Sequence, residues 1–132
     1  MAIDYGARRI GVAVSDSGVL ATPHCVVSNE GDIIDTLAAL ASELDASTIV
    51  VGIPRRQFHD PRLQIFRDFA DRLRQKTCKD VVLWDEELTT VDATRRLRAT
   101  GRKRAEAQRD IDMYAAAVIL QSYLDTMHRR QP

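Results

Sequence analysis

The sequence predicts an α/β protein with a mixed five-stranded sheet flanked by helices, and three observations lead there. The first 28 residues contain closely spaced segments with a period of two, joined by short turns. From residue 33 the apolar period becomes helical. Short β-branched runs then alternate with helical stretches, as strands do when helices cover a partly parallel sheet.

Met1–Tyr5 and Ile10–Ser15 read as strands joined across Gly6-Ala7-Arg8-Arg9, the second alternating large and small side chains. A third strand is expected at His24–Ser28, after the turn formers Asp16-Ser17-Gly18 and Pro23. Three adjacent strands with short connections make an antiparallel meander. Ile33, Ile34, Leu37, Leu40, Ala41 and Leu44 then fall at helical spacing, with Asn29 as the expected cap. Thr48–Ile53 is too short for a helix and is stopped by Pro54. Asp60-Pro61 starts a helix with stripe Ile65, Phe66, Phe69, Ala70 and Leu73. Val81–Trp84 is the fifth strand. Thr89-Thr90-Val91-Asp92 opens a short helix ending near Gly101, and a long helix runs from about Ala105 to about Met127.

With 132 residues the chain is long enough for one core, and it is read as one domain over 1–132. The longest apolar run, Met113–Leu120, is far below the ~18 residues of a membrane span. The chain opens without a basic segment followed by an apolar one, so a cytoplasmic protein is expected. Cys25 and Cys78 lack zinc-like spacing and read as reduced thiols. Nineteen basic residues balance nineteen acidic ones, so net charge does not advertise a polyanionic partner. The distribution of charge is more informative.

Asp4, Glu86 and Asp112 each border an apolar segment, where a carboxylate is costly unless something pairs with it. Carboxylates from three separate elements converge only by folding, and together they repel. A divalent cation relieves the repulsion, and oxygen ligands suit magnesium or manganese. Taken singly, each acid reads as structural. Asp-x-Gly also makes ordinary turns and resembles the phosphate loop of actin-like and sugar kinases, which need a second such domain. Asp112 lies inside its helix, where Ala115 and Ala116 are small enough for close approach.

Ile3-Asp4-Tyr5-Gly6 with Arg9–Asp16 closely resembles the opening of the YqgF/RuvX family. The resemblance continues through Val50–Pro54, Pro61-Arg62, Trp84–Thr90, Ile111-Asp112 and Ala115–Asp125. These blocks span nearly the whole chain in the family's order. The resemblance implies an RNase H-like fold and a nuclease that trims the precursor of small-subunit (16S) ribosomal RNA. Family members have also been described as candidate Holliday-junction resolvases. It assigns Asp4, Glu86 and Asp112 to the family's three catalytic acids. Two Mg²⁺ or Mn²⁺ ions roughly 3.5–4 Å apart would activate water and stabilise the leaving oxygen. Asp4, on a central strand, is the expected bridge between them.

Basic residues supply the expected nucleic-acid contacts. Arg95, Arg96, Arg98, Arg102, Lys103, Arg104 and Arg109 face one acid in their segment, Glu106. Arg55, Arg56 and Arg62 form a second cluster, and Arg9 is a candidate phosphate clamp. Charge runs are ordinarily solvated faces, yet these flank the proposed site and suit backbone contacts. Most of the few aromatics read as core, which does not favour a base-stacking platform. Asp16 and the Thr89-Thr90 pair read as turn and cap residues, and no histidine pairs with a nucleophile.

Three departures from the family pattern stand out. The 55–60 loop is shorter and lacks an Asp-Gly turn; Glu87 replaces an Arg, which weakens phosphate binding or raises metal dependence; and the first strand looks clipped. The expected function is a metal-dependent nuclease on structured RNA, with ribosomal precursor particles as the setting. The alternatives are a DNA junction resolvase, acting as a homodimer, and a catalytically silent nucleic-acid-binding module.

Overall fold

The computed structural model describes residues 1–54, 61, 63–86 and 104–130. Its elements are β1 (Ala2–Tyr5), β2 (Arg9–Val14), β3 (Thr22–Ser28), α1 (Ile33–Glu43), β4 (Thr48–Pro54), α2 (Leu63–Thr77), β5 (Asp80–Glu86) and α3 (Arg104–Arg130). The five strands form one sheet in the order β3-β2-β1-β4-β5. β1, β2 and β3 pair antiparallel as a meander, whereas β4 is parallel to both β1 and β5. This is the mixed α/β architecture expected from the sequence, and it matches the RNase H-like fold.

Each strand's two-residue period divides the core into two layers. Ile3, Ile10, Val12, Ile49, Val51, Ile53 and Val81 pack with the apolar sides of α1 and α2. Ala2, Ala13 and Val50 face the other way, against Ala116, Ile119 and Leu120 of α3. Tyr5 belongs to the first layer, its ring edge-on to Phe66 with centroids 5.9 Å apart. Asp4, between Ile3 and Tyr5, therefore belongs to the α3 face.

Several local expectations are corrected. Asp32, not Asn29, caps α1 by accepting from the Asp35 amide at 3.4 Å. The Asn29 side-chain Nδ2 instead donates to the Gly6 carbonyl at 2.9 Å and ties the β1–β2 turn to the end of β3. α2 starts at Leu63 rather than at Pro61, and Ile65 points outward, its place in the buried stripe taken by Leu63. β3 begins at Thr22 and includes Pro23, which sequence reading assigns to a turn. The proline is tolerated because β3 is an edge strand and the register shifts there, Val12 pairing Cys25 and Ala13 pairing Pro23.

The turn after β2 is closed by Ser15 and Ser17, whose hydroxyls accept from the Gly18, Val19 and Leu20 amides. β1 is short, but Met1 continues its ladder: its carbonyl accepts from the Val50 amide at 2.8 Å. Both cysteines are free thiols. Among the described residues no helix is long and apolar enough to cross a membrane. The expected helix over 89–101 lies outside the described residues, as do Asp60, Glu87 and the 55–60 loop.

Candidate active site

Asp4 is flanked by glycine on both sides: it pairs with Gly11 of β2 and with Gly52 of β4. Directly opposed residues share a face, so the two glycines leave a trough beside the carboxylate on the side where α3 lies. α3 occupies that trough. A methyl group at Gly11 would overlap the backbone carbonyl of Asp112, and one at Gly52 would overlap the end of the Ile119 side chain. A glycine inside a strand often marks such close approach of a second backbone. Here it brings the helix down onto β2 at the level of Asp4.

α3 meets the sheet along residues 112, 116, 119, 120 and 123, the stripe of a helix lying on a surface. Ala116 is fully buried on it. At the far end, the Trp84 indole donates to the Ser122 hydroxyl at 3.2 Å and stands edge-on to Tyr123. Gln121 fastens the β2–β3 loop, accepting from the Ala21 amide and donating to the Val19 carbonyl. These contacts set the rotation and height of the helix, and so the position of Asp112. The small Ala115 and Ala116 contribute as the sequence suggests, but the closest approach is made possible by Gly11.

Asp4 and Asp112 are thereby brought together. Burial, and then the negative charge of Asp112, push the Asp4 carboxyl up to about 6 from 3.8. A carboxylate held in its charged form here is costly, and a bound cation would offset that cost. Arg9, first residue of β2 and on the same face as Gly11, donates from Nε to Asp112 Oδ2 at 2.9 Å. That ion pair spans 103 positions of sequence.

Glu86 is placed by its backbone. β5 runs parallel to β4 with Gly52 opposite Trp84 and Pro54 opposite Glu86. Trp84 packs on the α3 face, and position 86 falls on that same face, near the strand end where β1 carries Asp4. Asp85 falls on the other face, in register with Ile53 of the α1/α2 layer. Arg55, Arg56, Arg62, Arg98, Arg102 and Lys103 lie outside the described residues, and Arg104 is the first residue of α3.

The oxygen donors of Asp4 and Asp112 are of the kind that suits magnesium or manganese, and the desolvated Asp4 fits a role as ligand. Among the described residues no group of three His, Cys, Asp or Glu side chains forms a metal cluster. Glycines 11 and 52 and the Arg9–Asp112 pair were missed by sequence reasoning. Two strand glycines were a usable signal for the first, whereas nothing local announces the second.

Comparison with known proteins settles the lineage. A family model described as "RuvX: Holliday junction resolvase" matches residues 1–126. The chain belongs to the RuvX family. Relatives sharing the name "Putative pre-16S rRNA nuclease" include one from Geobacillus kaustophilus, 39% identical over 96% of both chains. Another, from Myxococcus xanthus, is 40% identical over 98% of this chain and 88% of its own. A third, from Mycolicibacterium paratuberculosis, is 44% identical over 95% and 78% respectively. The family description and the names of these relatives both denote nucleases.

Proposed function

We propose that this RuvX-family protein is a metal-dependent nuclease that hydrolyses phosphodiester bonds of the small-subunit ribosomal RNA precursor in the cytoplasm. The observation that carries the reading is the juxtaposition of Asp4 and Asp112 on one face of the sheet, with position 86 on that face. The names of the relatives favour RNA.

Asp4, Asp112 and Glu86 would hold one or two Mg²⁺ or Mn²⁺ ions. Such ions supply Lewis-acid stabilisation of the phosphate and lower the pKa of an attacking water. The chain's own residues do the rest. Asp4, on a central strand, is a rigid ligand, and its raised pKa makes ion binding compete with a proton below about pH 6. Asp112 is set by the docking of α3, and before a metal binds Arg9 holds its carboxylate from outside. The basic segment at 95–109 and the 55–62 cluster orient the nucleic acid through its backbone.

The test is purified protein on matched RNA and DNA, including a 16S precursor fragment and a four-way junction, with Mg²⁺, Mn²⁺ or EDTA. Metal-dependent cleavage of the precursor fragment supports the proposal. Binding without cleavage in either metal selects a silent binding module. Paired nicks on the junction by a dimer select the resolvase reading, which the family description favours.

A further inference from the structure

We propose that the Arg9 guanidinium is a resident counter-ion of the Asp4–Asp112 pair. It competes with a divalent cation for Asp112 and, once displaced, receives a phosphodiester oxygen of the nucleic acid. This rests on the metal reading above and adds an order of events: cation first, phosphate second.

Arg9 opens β2, and the strand's period puts positions 9, 11 and 13 on the α3 face. Because Gly11 admits the helix backbone, Asp112 comes within reach of Arg9. The contact uses Nε, so both terminal nitrogens of the guanidinium lie beyond the bonded atom. The Arg9 side chain is 43% exposed against 18% for Asp112, which puts the cation at the mouth of the site and the carboxylate inside it. Two carboxylates held close need positive charge, and in the metal-free protein Arg9 contributes to it.

An ion pair with one partner this exposed is weak. A divalent cation offers Asp112 twice the charge and also relieves the desolvated Asp4, which Arg9 does not bond in this structure. The ion and the guanidinium are both positive, so occupancy by one disfavours the other. A released guanidinium beside a metal site has its planar fork available, and that fork matches a phosphate better than an ammonium does. Arg9 is therefore a positioning group for Asp112 before metal binding and a phosphate ligand after it.

The experiment compares the full-length wild type with R9Q, which keeps a hydrogen-bond donor without the charge, with R9M as a second charge-free variant and R9K as the charge-conserving one. Mn²⁺ affinity is measured by titration calorimetry without nucleic acid, melting in EDTA and in Mn²⁺, and binding of an uncleavable 2′-O-methyl RNA hairpin. R9Q and R9M are expected to bind Mn²⁺ more tightly, on the order of tenfold, because a neighbouring positive charge is gone. They should melt lower than wild type in EDTA and gain more from Mn²⁺. Mn²⁺ should tighten hairpin binding by wild type and R9K, and more weakly or not at all by R9Q. Wild type binding Mn²⁺ with R9Q and R9M equal or weaker overturns the competition alone. Absence of Mn²⁺ binding by wild type overturns the metal reading and this inference with it.

Discussion

Asp4 is a carboxylate the fold places at a cost. Its carboxyl is raised to about 6 from 3.8, so the folded protein holds this proton more tightly than the unfolded chain. The sign follows from linkage: the group's contribution is most favourable below about pH 4 and is lost as pH rises through about 6. Above that window the cost is on the order of 2–3 kcal/mol. Asp4→Asn is therefore expected to raise the melting temperature of the metal-free protein at pH 7.5 and to leave it nearly unchanged at pH 3.5. The same variant should abolish metal-dependent cleavage. A stable, fully active Asp4→Asn protein would remove Asp4 from the site.

Close approach of α3 to β2 is the decisive contact between elements. A methyl at Gly11 meets helix backbone, which cannot turn aside as a flexible side chain can. Gly11→Ala should lift the helix, destabilise the fold by about 1–3 kcal/mol and separate Asp112 from Asp4. At Gly52 the obstacle is the tip of the Ile119 side chain. Gly52→Ala should thus be milder, and pairing it with Ile119→Val should recover part of the loss in a thermal melt. β5 offers a second comparison, because its period puts positions 85 and 86 on opposite faces. Glu86→Gln should abolish cleavage with the melt preserved, whereas Asp85→Asn should retain measurable cleavage. A folded, dead Asp85→Asn beside an active Glu86→Gln would reverse the ligand assignment.

For the whole molecule, the proposed function makes charge distribution rather than net charge the quantity to test in nucleic-acid binding. The chain carries equal numbers of acidic and basic residues, so under the proposed function nonspecific attraction would fall to the basic segment. Replacing Arg98, Arg102 and Lys103 together should weaken binding and flatten its salt dependence. Each lost phosphate contact lowers the log–log slope by roughly 0.7 to 0.9. An unchanged slope would return the segment to a solvated face. Burial also pushes the Cys25 thiol up, away from the reactive thiolate form, so alkylation should report on the exposed Cys78 first.

Local pattern determined much of this protein. Five strands, the antiparallel meander and the long last helix were readable because period two and period 3.6 are set by backbone geometry within a few residues. Asp4 and Asp112 could be singled out because each borders an apolar segment, and the family resemblance put them, with Glu86, in one set. What sequence left open was decided by contacts between distant segments. The cap of α1 passed from Asn29 to Asp32 because Asn29 is engaged by the Gly6 carbonyl. Pro23 could enter β3 because that strand is an edge with a register shift. The Arg9–Asp112 pair, and the height of α3 above β2, exist only where two backbones meet across Gly11. Hydrophobic period says which face of an element is buried; packing alone says what it is buried against, and at what distance.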